Sequence, residues 1–213
     1  MQDVALFPIP GSVTFPGIPC PLHVFEPRYR QMVRHCVESG MPMGVCHTEK
    51  VLHTNERPQT TDEALRSNQS TYKPCTVFSA GPVSLLHELD DGRLMISVRT
   101  DKRLVLKEER QTLPFSIWRC EELVDVQPDD DTGQRLSQYK EKILNRLIAL
   151  THGQADIQER LRSEHWQDMP VEAFSFAISG SIGMDPALAQ YLLETTDTLH
   201  RLDTLLQLIN GDD

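Results

Sequence analysis

The sequence predicts an α+β fold: a β-rich amino-terminal part with one early helix, then a carboxy-terminal helical bundle. Three observations predict it. Six prolines between Pro8 and Pro27 divide the opening into short strands, because each fixes φ and removes a backbone donor. Residues 75–123 read as a meander of short apolar strands with turn signals between them. Beyond residue 132 the apolar residues recur at helical spacing. The division expected is a β-rich domain over 1–126 and a helical domain over 132–210.

Taken in order, Leu6, Phe7 and Ile9 form a short strand ending at the Pro10-Gly11 turn. Pro16-Gly17 marks a second turn, with glycine at the position that needs φ > 0. Leu22, Val24 and Phe25 form another strand. Pro27 suits the first position of a helix, with Glu26 as its flanking carboxylate. Tyr29, Met32, Val33, Cys36 and Val37 then make one buried helical face, and Gly40 stops the helix. Met43–Thr48 is a short strand. Glu49–Tyr72 is polar, contains Pro58 and reads as a long surface loop.

Strands resume at Cys75–Ala80 and Val83–Leu89, with Asp90-Asp91-Gly92 as a hairpin turn. Arg93–Arg99 alternates, placing Leu94, Ile96 and Val98 on one side. Thr100-Asp101 turns into Arg103–Lys107, and Pro114–Leu123 is the last strand. The acidic run Glu121–Asp131 reads as a linker. Leu136, Tyr139, Ile143, Leu144, Leu147 and Ile148 form a helical stripe ended by Gly153. A short helix is expected over Ala155–Glu164. Met169-Pro170 opens another helix with Phe174, Ala177 and Ile178 inward. Asp185 caps the next, with Pro186 in its first turn. Leu199, Leu202, Leu205, Leu206 and Ile209 make the last stripe.

The chain has 213 residues and a net charge of −10. Length suffices for a sizeable core, and the charge disfavours a general affinity for nucleic acid or anionic membrane. No apolar run reaches the ~20 residues of a membrane span. No secretion signal is expected at the start, where Pro8, Pro10 and Pro16 interrupt it. Five irregularly spaced cysteines fit reduced thiols, and a cytoplasmic location is expected.

Two blocks carry a family resemblance. The first is Phe15-Pro16-Gly17, then Pro21-Leu22-His23-Val24-Phe25-Glu26-Pro27-Arg28-Tyr29-Arg30-Gln31-Met32-Val33. The second is Asp91-Gly92-Arg93-Leu94-Met95-Ile96-Ser97-Val98-Arg99. Both resemble the LON amino-terminal domain, the substrate-binding domain of ATP-dependent Lon protease. The stretch Phe174–Ile209 is similar to the ending of stand-alone LON-domain proteins. The resemblance implies a PUA-like pseudo-barrel for the first part. It also implies a non-catalytic module that binds an unfolded or peptide-like polypeptide, or a protein partner, in a setting of proteolysis or quality control.

Neither the ATPase nor the Ser–Lys peptidase of Lon proteases is legible. There is no G-x-x-x-x-G-K-[ST] loop, and the dipeptide Gly-Lys does not occur. The expectation is a chain that is not itself an enzyme, with no cofactor and no metal. Within the first block, Glu26, Arg28, Tyr29 and Arg30 are the candidate polypeptide-binding residues. Their structural alternative is that Glu26 flanks the helix start, an arginine pairs with a carboxylate, and Tyr29 packs while Arg28 and Arg30 face solvent.

Two other classes remain open from the residues. A hydrolase would use a nucleophile such as Cys20, Cys75, Cys120 or Ser181. Ser179-Gly180-Ser181-Ile182-Gly183 is a partial match to the nucleophile elbow, but no strand precedes it. An RNA binder would use the PUA-like barrel and the basic group Arg28, Arg30, Arg34 and His35. His35-Cys36 and Cys46-His47 pair zinc-ligating residue types, but adjacent side chains diverge, which favours buried thiols.

Overall fold

The computed structural model describes residues 1–54 and 70–211. It divides into two compact units, one of residues 1–123 and 184–193, the other of residues 124–183 and 194–213.

The first unit is β-rich. Strand β1 (Gln2–Pro8) leads to β2 (Pro19–Val24), helix α1 (Pro27–Ser39) and β3 (Met43–Cys46). Then come β4 (Thr48–Thr54), β5 (Ser70–Pro74), β6 (Val77–Gly81), β7 (Val83–Glu88), β8 (Leu94–Arg99), β9 (Lys102–Gln111) and β10 (Ile117–Glu122). Five strands close a barrel in the order β1-β10-β9-β6-β3, with β1 and β3 parallel. Closure leaves that sheet without a free edge. A three-stranded sheet, β2-β8-β7, stands beside it. The expected α+β class and β-rich barrel are thus both present.

Alternation in β8 works as its sequence demands: Leu94, Ile96 and Val98 are fully buried and Met95 is exposed. They share one core with Tyr29, Met32, Val33 and Cys36 of α1. A second cluster inside the barrel joins Val4, Leu6, Cys46, Phe78 and Leu104. Helix α1 starts at Pro27 and ends on Gly40, whose φ of 72° lets its N–H reach the Cys36 carbonyl at 3.0 Å. The Pro16-Gly17 turn is pinned by buried Thr100, whose one hydroxyl proton lies between the carbonyls of Phe15 (2.8 Å) and Ile18 (2.6 Å) and is shared by them.

Several expectations need correction. Val37 is 47% exposed rather than part of the buried face, because 13 residues of helix present only one stripe to the core. Phe25 is exposed beyond the end of β2. The ends of the expected 49–72 loop are β4 and β5, an antiparallel ribbon pairing Thr48 with Pro74 and Thr54 with Ser70. The remainder of that loop, including Pro58, lies outside the described residues.

The second unit is helical. It holds α2 (Asp130–Leu150), α3 (Ala155–Leu161), α4 (Glu164–Asp168), α5 (Val171–Ser181) and α7 (Thr198–Asn210). The expected linker ends earlier than its charge suggests. Asp129 is the N-cap of α2, accepting from the Thr132 N–H at 2.8 Å, and Asp130 and Asp131 occupy the first turn. Carboxylates there are favoured by the unpaired amides and the dipole. The single helix expected over 155–164 breaks into α3 and α4.

Helix α6 (Pro186–Glu194) falls, through Leu193, in the first unit. The Gln190 side-chain amide donates to the Val77 carbonyl at 2.9 Å, and Arg103 donates to the Leu193 carbonyl at 2.7 Å. The units therefore differ from the expected division at 1–126 and 132–210, because helical sequence alone does not say which core a helix joins.

Buried charge also escaped the helical pattern. Arg201 of α7 is fully buried. It pairs with Asp125, donates to the Thr195 carbonyl at 2.6 Å and to the Ser175 hydroxyl at 2.8 Å, and stacks 3.9 Å from the Phe176 ring centroid. Lys140 of α2, also buried, donates to the carbonyls of Gln167 (2.6 Å) and Met169 (2.7 Å) at the end of α4. Desolvation lowers its pKa.

Candidate functional site

Within the first unit, a cavity of about 690 Å³ opens beside the start of α1. Its volume is in the range of small-molecule and side-chain pockets, ~300–1,000 Å³. Leu6 and Pro8 of β1 form one wall, and Arg28 and Tyr29 of α1 another. Tyr72, Lys73 and Pro74 of β5 border it, as do Leu106 and Glu109 of β9 and Trp118 of β10. The segment Thr112–Ser116 completes it. Four aromatic rings, Tyr29, Tyr72, Phe115 and Trp118, therefore line one largely apolar space.

The local sequence explains how those rings are held. Tyr29 is 7% exposed, with its ring edge-on to Phe7 at 4.4 Å between centroids. Burial pushes its hydroxyl up to about 12, partly offset by the adjacent Arg28. Phe115 is buried in the α1 core cluster. Trp118 donates its indole N–H to the Ser116 hydroxyl at 2.8 Å, and Ser116 is 3.0 Å from Glu109 Oε1. Leu113 projects from the lining at 79% exposure.

The four residues expected to bind polypeptide are split by the structure. Arg28 and Tyr29 line the cavity. Arg28 does not face solvent as the structural alternative expected: its side chain is 14% exposed, pairs with Glu26 at 3.0 Å, and lies 4.5 Å from the Tyr29 ring centroid. Glu26 makes no side-chain cap to α1 and instead holds Arg28. Arg30 is half-buried, not open to solvent, and donates to the Gly92 carbonyl at 3.1 Å in the β7–β8 turn. It is not on the cavity lining. Tyr72, Phe115 and Trp118 were missed. The only signal for them was their aromatic character, and they come from separate strands and a loop.

The alternative chemistries find little geometry. Burial pushes the thiols of Cys36 and Cys120 up to about 12, and those of Cys20 and Cys46 also upward, so the nucleophilic thiolate is disfavoured. The single Cys46 S–H lies within reach of the carbonyls of His47 and Cys75, while His47 Nδ1 accepts from the Gly11 N–H at 3.0 Å. Ser181 donates to the Ala177 carbonyl at 2.7 Å within α5, and no strand leads into it. No group of three potential metal-ligating side chains is found among the described residues. Arg28 and Arg34 are ion-paired with Glu26 and Glu88, and Arg30 is tied to the Gly92 carbonyl, so two of the three arginines in the expected basic group have their charge offset. Among the described residues, no helix is long and apolar enough to cross a membrane.

The arrangement is a five-stranded barrel with a flanking sheet and a separate helical unit, the fold of Lon amino-terminal domains. A Lon N-terminal domain protein from Xanthomonas campestris superposes with a TM-score of 0.58, at 18% identity over 97% of this chain and 98% of that one. The N-terminal domain of a Mycobacterium avium complex Lon protease gives 0.65, at 15% identity over 99% of each. The chain belongs to the ATP-dependent protease La (LON) substrate-binding domain family, whose model matches residues 3–211. The Lon protease of Cytophaga hutchinsonii is 24% identical over 97% of this chain. The chain spans 24% of the length of that relative. Family membership supports a substrate-binding role in a proteolytic setting.

Proposed function

We propose that this chain recognises unfolded polypeptide for proteolysis, and that it does so by taking apolar side chains into the aromatic cavity beside α1. The observation that carries the reading is the convergence of Tyr29, Tyr72, Phe115 and Trp118 on one space of about 690 Å³. A space of that size accepts one or more side chains and excludes a folded domain, so it selects for exposed apolar segments. Aromatic walls give large contact area at small entropic cost.

Of the four residues first expected to bind, Arg28 and Tyr29 act directly. Glu26 orients Arg28, and Arg30 braces the β7–β8 turn. The chain works by binding, with neither cofactor nor metal, and ATP hydrolysis and peptide cleavage belong to machinery outside these residues. It operates in the cytoplasm, where unfolded chains are supplied.

The test uses tryptophan emission. The chain has two tryptophans, so Trp166→Phe leaves Trp118 on the cavity wall as the reporter. Titration with a permanently unfolded, carboxymethylated protein should shift its emission saturably. The same protein in its folded, native form should not. Leu113→Asp places a charge at the cavity mouth on an already exposed residue, and should weaken binding at least ~5-fold, the effect of a contact worth ~1 kcal/mol. Undiminished binding by Leu113→Asp would move the site elsewhere.

A further inference from the structure

We infer that the cavity discriminates among apolar polypeptide segments by charge, favouring those with lysine or arginine beside the inserted side chain, and that Glu109 is the residue that does so. The inference rests on the reading above that the cavity takes polypeptide.

Among the described residues, three side chains that are charged at neutral pH line the cavity: Arg28, Lys73 and Glu109. The two cations have carboxylate partners. Arg28 pairs with Glu26 at 3.0 Å, and Lys73 pairs with Glu49. Glu109 is different. Its Oε1 is 3.0 Å from the Ser116 hydroxyl, and among the described residues no cation stands within ion-pair distance of it. Among the described residues, these lining groups and their ion-pair partners count two cations and three carboxylates, a net charge of −1.

That carboxylate is also oriented. The Trp118 indole N–H donates to the Ser116 oxygen at 2.8 Å, which leaves the Ser116 hydroxyl proton to donate to Glu109. The chain of bonds ties Glu109 to the ring that forms the cavity wall. An apolar side chain seated against Trp118 therefore brings its neighbours in sequence towards Glu109. A lysine or arginine there can lay its apolar stem along the rim and place its charge on the carboxylate. Aromatic faces attract the same cations. An acidic neighbour would meet Glu109 and, at longer range, a chain of net charge −10.

The test measures anisotropy of labelled peptides that share one apolar centre and differ only in flanks of lysine, serine or glutamate. The full chain should bind the lysine peptide more tightly than the glutamate peptide, with Glu109 contributing about 2- to 5-fold at low salt, the range for an exposed ion pair. Glu109→Gln should remove that contribution, Glu109→Lys should turn the ratio towards the acidic peptide, and added salt should compress it. Glu108→Gln is the control, since Glu108 pairs with Arg110 and does not line the cavity. It should keep the full ratio. If Glu109→Gln and Glu109→Lys both keep the parent ratio, the preference comes from net charge and the inference is overturned. If all three peptides bind equally, the charge selection falls while the cavity reading stands. If none binds and Trp118 emission does not move, both fall.

Discussion

The Arg28 guanidinium lies 4.5 Å from the centroid of the Tyr29 ring and reaches the Glu26 carboxylate at 3.0 Å. One side chain thus packs the cavity's tyrosine and neutralises the acid that precedes the helix. Tyr29→Ala should remove a buried ring and cost ~3–5 kcal/mol, read as a large fall in melting temperature. Arg28→Ala should cost about 1–3 kcal/mol, because Glu26, largely enclosed, loses this ion pair. A melting temperature unchanged by Arg28→Ala would show that the pair contributes nothing to the fold.

Alkaline pH should destabilise the first unit. Tyr29 is held near 12 against an ordinary value of 10.0, and Cys36 near 12 against 9.0, both by burial. Between those limits the unfolded chain has lost protons that the folded chain keeps. Stability is therefore full below about pH 9 and falls as pH rises towards 12. Chemical denaturation at stepped pH checks this, and Cys36→Ala should flatten the lower part of the decline.

Gly81→Ala should be among the most damaging single-atom additions. A Cβ at Gly81 would sit 1.7 Å from the Arg99 carbonyl oxygen, backbone that cannot yield as a flexible side chain would. The strands β6 and β8 approach too closely there for any side chain. Soluble yield and circular dichroism should report a misfolded or strongly destabilised protein, whereas Gly133→Ala, which meets nothing within 4 Å, should not.

The helical unit has its own test at Asp125. Removing it strands the fully buried Arg201, and breaking such a pair typically costs ~3–5 kcal/mol. Asp125→Ala should lower the unfolding midpoint sharply. An Asp125→Leu/Arg201→Met double variant should recover part of the loss, since neither charge then remains unpaired. Equal stability of the single and double variants would mean that the pair's charge is not what matters.

Much of the fold was legible locally. Pro27 and Gly40 bracket α1, and the spacing Tyr29, Met32, Val33, Cys36 named its buried face correctly. Alternation in Leu94–Val98 gave β8 its inward side. The site was legible only in part. Tyr29 and Arg28 stand in the distinctive opening block, but their companions Tyr72, Phe115 and Trp118 lie 43 to 89 positions further on in sequence. The ribbon β4–β5 was hidden because its residues are polar and its strands pair with one another across a long insertion.

By itself, then, the sequence determined the elements whose cause is local: caps, turns, periodic faces, and the block that marks the family. The tertiary structure decided which charges are buried and which elements share a core. Arg201 reads as a surface arginine on an amphipathic helix until Asp125, Thr195 and Ser175 are brought around it. Helix α6 reads as one more helix of a bundle until Gln190 reaches the Val77 carbonyl in the barrel. The cavity exists only once β1, α1, β5, β9 and β10 meet. Periodicity records whether a residue is buried, but enclosure by partners distant in the chain depends on barrel closure, which no local pattern encodes.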